Sequence, residues 1–459
     1  MTTRPSGGAH RTGLMRWAFS AWAAVLLAIG LSTLPTGALA QRGYIAPEAA
    51  TGYSEKSLAQ AKSYMVSAAN PLAVEAGVRI LQEGGSAVDA AIAVQLVLNL
   101  VEPQSSGIGG GAFLLHWDAE TKELKSYDGR ETAPAAARPD RFLRDGRRIP
   151  FDEAVHSGLS IGVPGLVRLL EEVHRRHGKL PWARLFEPAI ALAENGFPVS
   201  PRLNLLLTWM GAENFDPAAR RLYFSENGSA WPVGYRLKNP EFAATLRRIA
   251  AEGAEAFYSG EIAEKIVAAA ANAPNHPGDI TLADLAAYRS VERPPVCVIY
   301  RRHRVCGMGP PSSGGIAVAQ TLKLLEPFDL GRGPEAALNP RAMHLIAEAE
   351  KLAFADRDYY IGDPDFLQVP LTLLDSDYLA ARSRLINPNA AMPRPAPGTP
   401  PGVQRQAFGV DATLESVGTS HISVVDAAGN AVSMTTTIES AFGSRVMAAG
   451  FLLNNELTD

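Results

Sequence analysis

The strongest constraint on this chain is a change of character around residue 418. Upstream, Pro388, Pro393, Pro395, Pro397, Pro400 and Pro401 crowd one stretch. Proline fixes φ and lacks an N–H, so residues 387–402 suit neither helix nor sheet. A polar run follows, ending at Gly418. Downstream, Ile422 to Val425 reads as a strand, Asp426 to Asn430 as a turn, and Ala431 to Thr437 as a second strand. The pattern predicts a hairpin that opens at Thr419, hung on an irregular tether. Scission of Gly418–Thr419 would leave the Thr419 α-amino group and hydroxyl on one N-terminal residue. In that arrangement the amine activates the hydroxyl as a nucleophile. A threonine opening a strand is, by itself, only a β-branched residue in a favourable place.

A chain of 459 residues is long enough for one large or two ordinary domains with a well-buried core. Hydrophobic residues make up 47% and charged residues 20%, an ordinary globular balance. The net charge of −4 argues against nucleic acid as a partner. The first residues read as a signal peptide. Arg4, Arg11 and Arg16 form a basic segment, Ala21 to Leu31 is apolar, and Ala38-Leu39-Ala40 fits the cleavage rule. Residues 1–40 would be removed, leaving a periplasmic or secreted protein with no membrane attachment. An uncleaved anchor is the competing reading.

Cys297 and Cys306, the only two cysteines, flank a basic turn, Arg301-Arg302-His303-Arg304. They read as two short strands in which the cysteines face each other. A disulfide and a pair of small packed apolar residues are equally compatible with this pattern. No Cys/His cluster has metal-ligand spacing, and no cofactor is expected.

Asn70 with Pro71 marks the start of a helix that ends at Gly84-Gly85, and Ser86 with Asp89 starts a second, buried helix. Gly107 to Gly111 lies between a helix and a strand, the reverse of a dinucleotide loop, so it reads as a tight turn. A hairpin strand, Leu124 to Asp128, delivers Arg130. Residues 165–290 read as mostly helical. The charges of the helix from Ala342 to Tyr360 suit a solvated face or structural ion pairs. Strands, helices, then strands imply an α+β class.

The string Thr419-Ser420-His421-Ile422-Ser423-Val424-Val425-Asp426 is followed by Gly429-Asn430-Ala431-Val432 and by Gly450-Phe451-Leu452-Leu453-Asn454-Asn455-Glu456. Earlier come Asn70-Pro71-Leu72-Ala73, Gly84 to Ala91, Gly107 to Gly111, Asp128 to Pro134, Gly162 to Gly165, Leu180-Pro181-Trp182 and Pro310 to Gly315. In this order the motifs resemble the γ-glutamyltransferase family, across nearly all the chain beyond residue 60. The resemblance implies an Ntn-hydrolase fold, a four-layer αββα sandwich. It implies self-cleavage between Gly418 and Thr419, so that 41–418 becomes a large chain, with 387–418 a flexible pre-cleavage linker. The small catalytic chain would start at Thr419. Residues 419–459 would be its beginning, because the family continues well past Asp459.

The same resemblance implies the site. Thr419 is the nucleophile, and Thr437 bonds to it. Arg130 takes the donor's α-carboxylate, for which a bidentate guanidinium is suited. Glu439, Glu456 and Asp459 receive its α-ammonium group. Glu439 departs from family members that carry Asn there. The expected reaction cleaves a γ-glutamyl amide, glutathione included, through a γ-glutamyl-threonine ester that passes to water or to an amino acid or dipeptide amine. A glutaryl or cephalosporin acylase of the same fold is the alternative, and a non-catalytic periplasmic binding homologue is another. A Ser-His-Asp mechanism through Ser420, His421 and Asp426 is disfavoured, because adjacent strand residues face opposite ways. Ser160, in Gly158-Leu159-Ser160-Ile161-Gly162, lacks the strand–turn–helix context of a nucleophile elbow.

Overall fold

Asn70 accepts the Leu72 N–H at 3.1 Å, Pro71 takes the first helical position, and α1 (Pro71–Gln82) ends before Gly84, whose φ is +90°. Ser86 and Asp89 then form a reciprocal capping box at the start of α2 (Ala87–Val101). Every residue of α2 is buried, which explains its nearly uniform apolar sequence. The structure is a computed structural model describing residues 57–403 and 418–458. The signal-peptide reading of 1–40, linker residues 404–417 and Asp459 lie outside the described residues. Among those residues no helix is long and apolar enough to cross a membrane.

Six strands form one antiparallel sheet. They are β1 (Met65–Ser67), β2 (Gly111–Trp117), β3 (Leu124–Gly129), β4 (Val291–Arg293), β7 (Thr419–Val425) and β8 (Ala431–Thr437). Between them in sequence, β5 (Val296–Tyr300) and β6 (His303–Gly307) make a separate hairpin. The sheet order is β1-β7-β8-β2-β3-β4, so the hairpin that starts at Thr419 lies between strands from the first third of the chain. Alternation sorts the faces. Ser420, Ile422 and Val424 of β7, with Val432, Met434 and Thr436 of β8, are buried on the side of α2. Thr419, His421 and Ser423 occupy the opposite, open face with Ser433, Thr435 and Thr437. Asp426, in the β7–β8 turn, accepts the Ala87 N–H at 3.1 Å, which fastens the hairpin to the first turn of α2.

The molecule is α+β. Of the αββα layers, the described residues supply one large sheet and helices behind it. The remaining pairings among them are two-stranded. A second hydrophobic cluster gathers around α4 (Gly314–Leu325) and α5 (Pro340–Tyr360). On α5 the charges do not form a purely solvated face. Asp356 is buried and bonds Arg382 at 2.9 Å, the Tyr378 hydroxyl at 2.7 Å and the Gly398 N–H at 2.8 Å. Residues 387–403 contain no helix or strand, yet they are not loose. Besides Gly398, Met392 donates its N–H to Glu348 at 2.7 Å, and Tyr360 donates to the Gly398 carbonyl at 2.7 Å. The sequence predicts a flexible linker over 387–418, and over 387–403 these bonds oppose it. Cys297 and Cys306 are register partners in β5 and β6 and form a disulfide, which decides between the two cysteine readings.

Candidate active site

Four adjacent strands bring their ends together at one edge of the open face. Thr419 opens β7 opposite Thr437, the last residue of β8, and Thr437 in turn faces Gly111 at the start of β2. Ala112 pairs with Gly129, the last residue of β3, so Arg130 leaves the sheet at the same end. Antiparallel pairing therefore assembles residues that are hundreds of positions apart in sequence. Close backbone approach makes this possible. A Cβ on Gly110 would lie 2.1 Å from the Thr437 carbonyl oxygen, and one on Gly109 would lie 2.1 Å from that of Leu452. The glycine run is thus a steric requirement of the site as well as a turn.

Thr437 is the hub. Its hydroxyl donates to the Gly418 carbonyl oxygen at 3.0 Å and accepts the Glu439 N–H at 2.9 Å. The Thr419 hydroxyl approaches it at 3.4 Å. One hydroxyl has one proton and two lone pairs, so all three contacts are compatible. Gly418 is buried and Thr419 is exposed on the open face.

Arg130 and Glu456 form a close ion pair. The Arg130 guanidinium also lies over the Phe113 ring, 5.8 Å from its centroid. Its backbone is held on both sides. Asp128 accepts the Arg130 N–H at 2.8 Å, and Tyr288 donates to the Arg130 carbonyl at 2.7 Å. Asp128 is itself fixed by Arg293 at 2.7 Å. Burial, reinforced by the Glu456 carboxylate, pushes the neighbouring Glu131 well above the usual carboxylate range, while Arg130 opposes the shift.

Two asparagines that sequence reasoning quoted only as part of a motif position the acids. Asn455 donates to Glu439 at 3.0 Å and accepts the Ser440 N–H at 3.0 Å. Asn454 accepts the Glu456 N–H at 3.0 Å and donates to the carbonyls of Gly109 and Gly162 at 2.8 and 2.9 Å. The available signal was a polar Asn-Asn pair directly after the apolar run Phe451 to Leu453. Glu439 takes a φ of +75°, a left-handed conformation unusual for glutamate, as do Phe442, Arg445 and Ala449 nearby. Such clustering is typical of functional loops.

The structure thus brings together Gly418, Thr419, Thr437 and Glu439, and joins Arg130 to Glu456. It does not assemble the rival triad. Ser420 is buried on the other face from His421, whose ring nitrogens contact Thr435 at 2.9 Å and Ser433 at 3.3 Å. Asp426 is committed to its turn and to Ala87, Ala428 and Asn430. Ser160 is buried and donates to the backbone carbonyls of Val155 and Ser157.

The family model described as gamma-glutamyltranspeptidase matches residues 73–459. The glutathione hydrolase proenzyme of Bacillus subtilis (strain 168) is 39% identical over 407 residues, covering 87% of this chain and 68% of its own length. Among solved structures, the gamma-glutamyltranspeptidase of Helicobacter pylori is 33% identical with a TM-score of 0.71, over 77% of this chain and 100% of that one. A cephalosporin acylase from Bacillus halodurans is 29% identical with a TM-score of 0.76, over 89% of this chain and 72% of that one. With the start of β7 at Thr419 and the exit of β3 at Arg130 on the same end of this sheet, the chain belongs to the gamma-glutamyltranspeptidase family of Ntn-hydrolases.

Proposed function

We propose that this protein is a self-processing glutathione hydrolase and γ-glutamyltransferase with Thr419 as nucleophile. The observation that carries the reading is the Thr437 hydroxyl, shared between the Gly418 carbonyl oxygen and the Thr419 hydroxyl. In the uncut chain Thr419 Oγ1 attacks the Gly418 carbonyl carbon, and the Thr437 proton stabilises the oxygen on which negative charge develops. The C–N bond then breaks and the amide nitrogen leaves as the Thr419 amine. The resulting ester is hydrolysed by water, which frees the Gly418 carboxylate and the hydroxyl. In the processed enzyme the Thr419 amine serves as base, the hydroxyl attacks a γ-glutamyl amide, and the acyl group passes to water or an acceptor amine.

Arg130 and Glu456 suit the head of an α-amino acid. They satisfy each other without ligand. A donor that brings a carboxylate to Arg130 and an ammonium to Glu456 and Glu439 replaces one neutralised pair with two. The acylase reading has the cephalosporin acylase likeness in its favour. It is disfavoured by Glu439 and Glu456, because a glutaryl group carries no ammonium. We further propose an exported precursor whose large chain ends at Gly418, with Asp459 completing the ammonium site.

The test is N-terminal sequencing of the smaller chain of the purified full-length protein, together with assay on a γ-glutamyl anilide. The expected start is Thr-Ser-His-Ile, and Thr419→Ala should remain one uncut, inactive chain. A different start, or cleavage in Thr419→Ala, would remove Thr419 from its role.

A further inference from the structure

The basic turn between the cysteines has no part in the mechanism above. We infer that the Cys297–Cys306 disulfide is a thiol-exchange site for a small anionic thiol, with Cys306 the sulfur attacked and Cys297 the leaving thiolate.

Four features of the structure support this. First, both cysteines are only half-buried, so neither sulfur is sealed in a core. Second, Cys306 lines a cavity of 280 Å³ on the open face of the sheet, bounded by Phe113, Ser433 and Thr435 opposite Met308 and Val318. A small thiol entering there meets Cys306; Cys297 lines a separate cavity of 440 Å³ with Pro310 and Leu374, so the guanidinium at Cys297 is what makes Cys306 the sulfur attacked. Third, Arg304 Nη2 lies 3.6 Å from Cys297 Sγ. A guanidinium at that sulfur stabilises the thiolate released when its partner is attacked, and a better leaving thiolate departs faster. Fourth, Arg301, Arg302, His303 and Arg304 are all exposed around the turn; Glu326 accepts the Arg301 backbone N–H at 3.4 Å and pairs with Lys323. That excess of cations attracts an anionic thiol over a neutral one.

The chemistry balances without any further reagent. A thiolate RS⁻ bonds to Cys306 Sγ, the S–S bond breaks, and its electron pair stays on Cys297 Sγ. A second RS⁻ attacks the RS sulfur of the mixed disulfide. This releases RSSR and leaves both cysteines as thiols, so two small thiols are oxidised as one disulfide is reduced. If Cys297 returns its electrons to Cys306 first, the original disulfide is restored and RS⁻ leaves. Glutathione, with two carboxylates and one ammonium, has the net negative charge that the basic turn attracts.

The test uses the Thr419→Ala chain, so that glutathione is not consumed and a failure of the nucleophile assignment does not affect the result. The oxidised protein is mixed with glutathione or with neutral 2-mercaptoethanol, quenched with acid, and followed by intact mass and peptide mapping. The expected result is a single glutathione adduct on Cys306, faster exchange with glutathione than with the neutral thiol, and a gap that closes in high salt. Arg304→Gln should slow exchange by roughly threefold or more, about what one nearby cation does to a part-exposed thiolate, and Arg304→Lys should restore part of it. If the turn tolerates neither change, Cys297→Ser mixed with oxidised glutathione should still take up one glutathione on Cys306, with one reduced glutathione released, and faster than Cys306→Ser does on Cys297. An adduct on Cys297, equal rates for both thiols at low salt, or no exchange under conditions that reduce the unfolded chain would overturn the assignment.

Discussion

Arg130 is the side chain on which the proposed donor specificity rests most. Its guanidinium lies over Phe113 and pairs with Glu456, and the bidentate contact proposed for a donor carboxylate needs a planar fork. Arg130→Lys should weaken donor binding by about 1.5–3 kcal/mol, the range for hydrogen bonds to charged groups, while self-cleavage continues. A steady-state titration of KM reads the loss, and an unchanged KM would take Arg130 out of the donor site. Glu439 poses a different question. Asn455 holds its carboxylate, and its backbone is left-handed. Glu439→Gln should narrow the preference for γ-glutamyl over glutaryl donors, compared through kcat/KM in the processed enzyme. A ratio that does not move would leave the ammonium to Glu456. The roles proposed for Arg130 and Glu439 are legible only through the family motif. Composition gives an arginine in a turn and a carboxylate at a strand end no special weight, because both are usual on surfaces. Asn454 and Asn455 acquired a function only when their partners, more than 290 residues away for Gly109 and Gly162, could be seen.

Among the elements, α1 and α2 were the most legible. Their caps are local, since Asn70, Ser86 and Asp89 act on N–H groups within three residues. The glycine run before β2 was half legible. Its helix-to-strand context excluded a dinucleotide loop, but its reason is steric and distant. Gly110→Ala would drive a Cβ into the Thr437 carbonyl, 2.1 Å away. The expected cost is about 1–3 kcal/mol, as for overpacking in a core, together with slower self-cleavage because Thr437 moves. Urea unfolding and a time course of chain scission measure the two effects. Scission at the wild-type rate would show that the glycine serves folding alone. The proline stretch predicts irregular, loose backbone, and over 387–403 only irregular describes it. Buried Asp356 and Glu348 on α5 accept its backbone N–H groups, and a linear pattern does not reveal such bonds.

For the molecule as a whole, sheet order determines what scission does. A cut before Thr419 leaves β7 paired with β1 and β8 paired with β2, so the small chain stays laced between strands of the large one. The two chains should co-elute on gel filtration at neutral pH and separate only in denaturant. Separation in native buffer would contradict this topology. Behind the same sheet, His116 stacks on His177 with ring centroids 3.8 Å apart, and His177 bonds the Tyr127 hydroxyl at 2.7 Å. Burial, then the neighbouring His177, lowers His116 from 6.5 to about 4, with Lys125 acting the same way and Asp118 and Asp426 opposing. The unfolded chain therefore binds a proton that the folded chain refuses. Stability is complete above the unfolded value and falls as pH drops from 6.5 towards about 4. The contribution is at most about 3 kcal/mol. Urea midpoints between pH 7 and 5 should decline, and His116→Leu should flatten that decline.

By itself the sequence determined where α1 starts and stops and where α2 starts, that a hairpin opens at Thr419, and which family motifs the chain carries. Those features depend on neighbours within a few residues, or on the order of motifs along the chain, and both are properties of a string. The meeting of Thr419, Thr437, Gly111 and Arg130 at one sheet end was decided by tertiary structure alone, as were the disulfide, the docking of 387–403 and the burial of Asp356. Each depends on strand register or on packing between segments far apart in sequence. Register is a collective outcome of every buried side chain on a face, so no local pattern contains it.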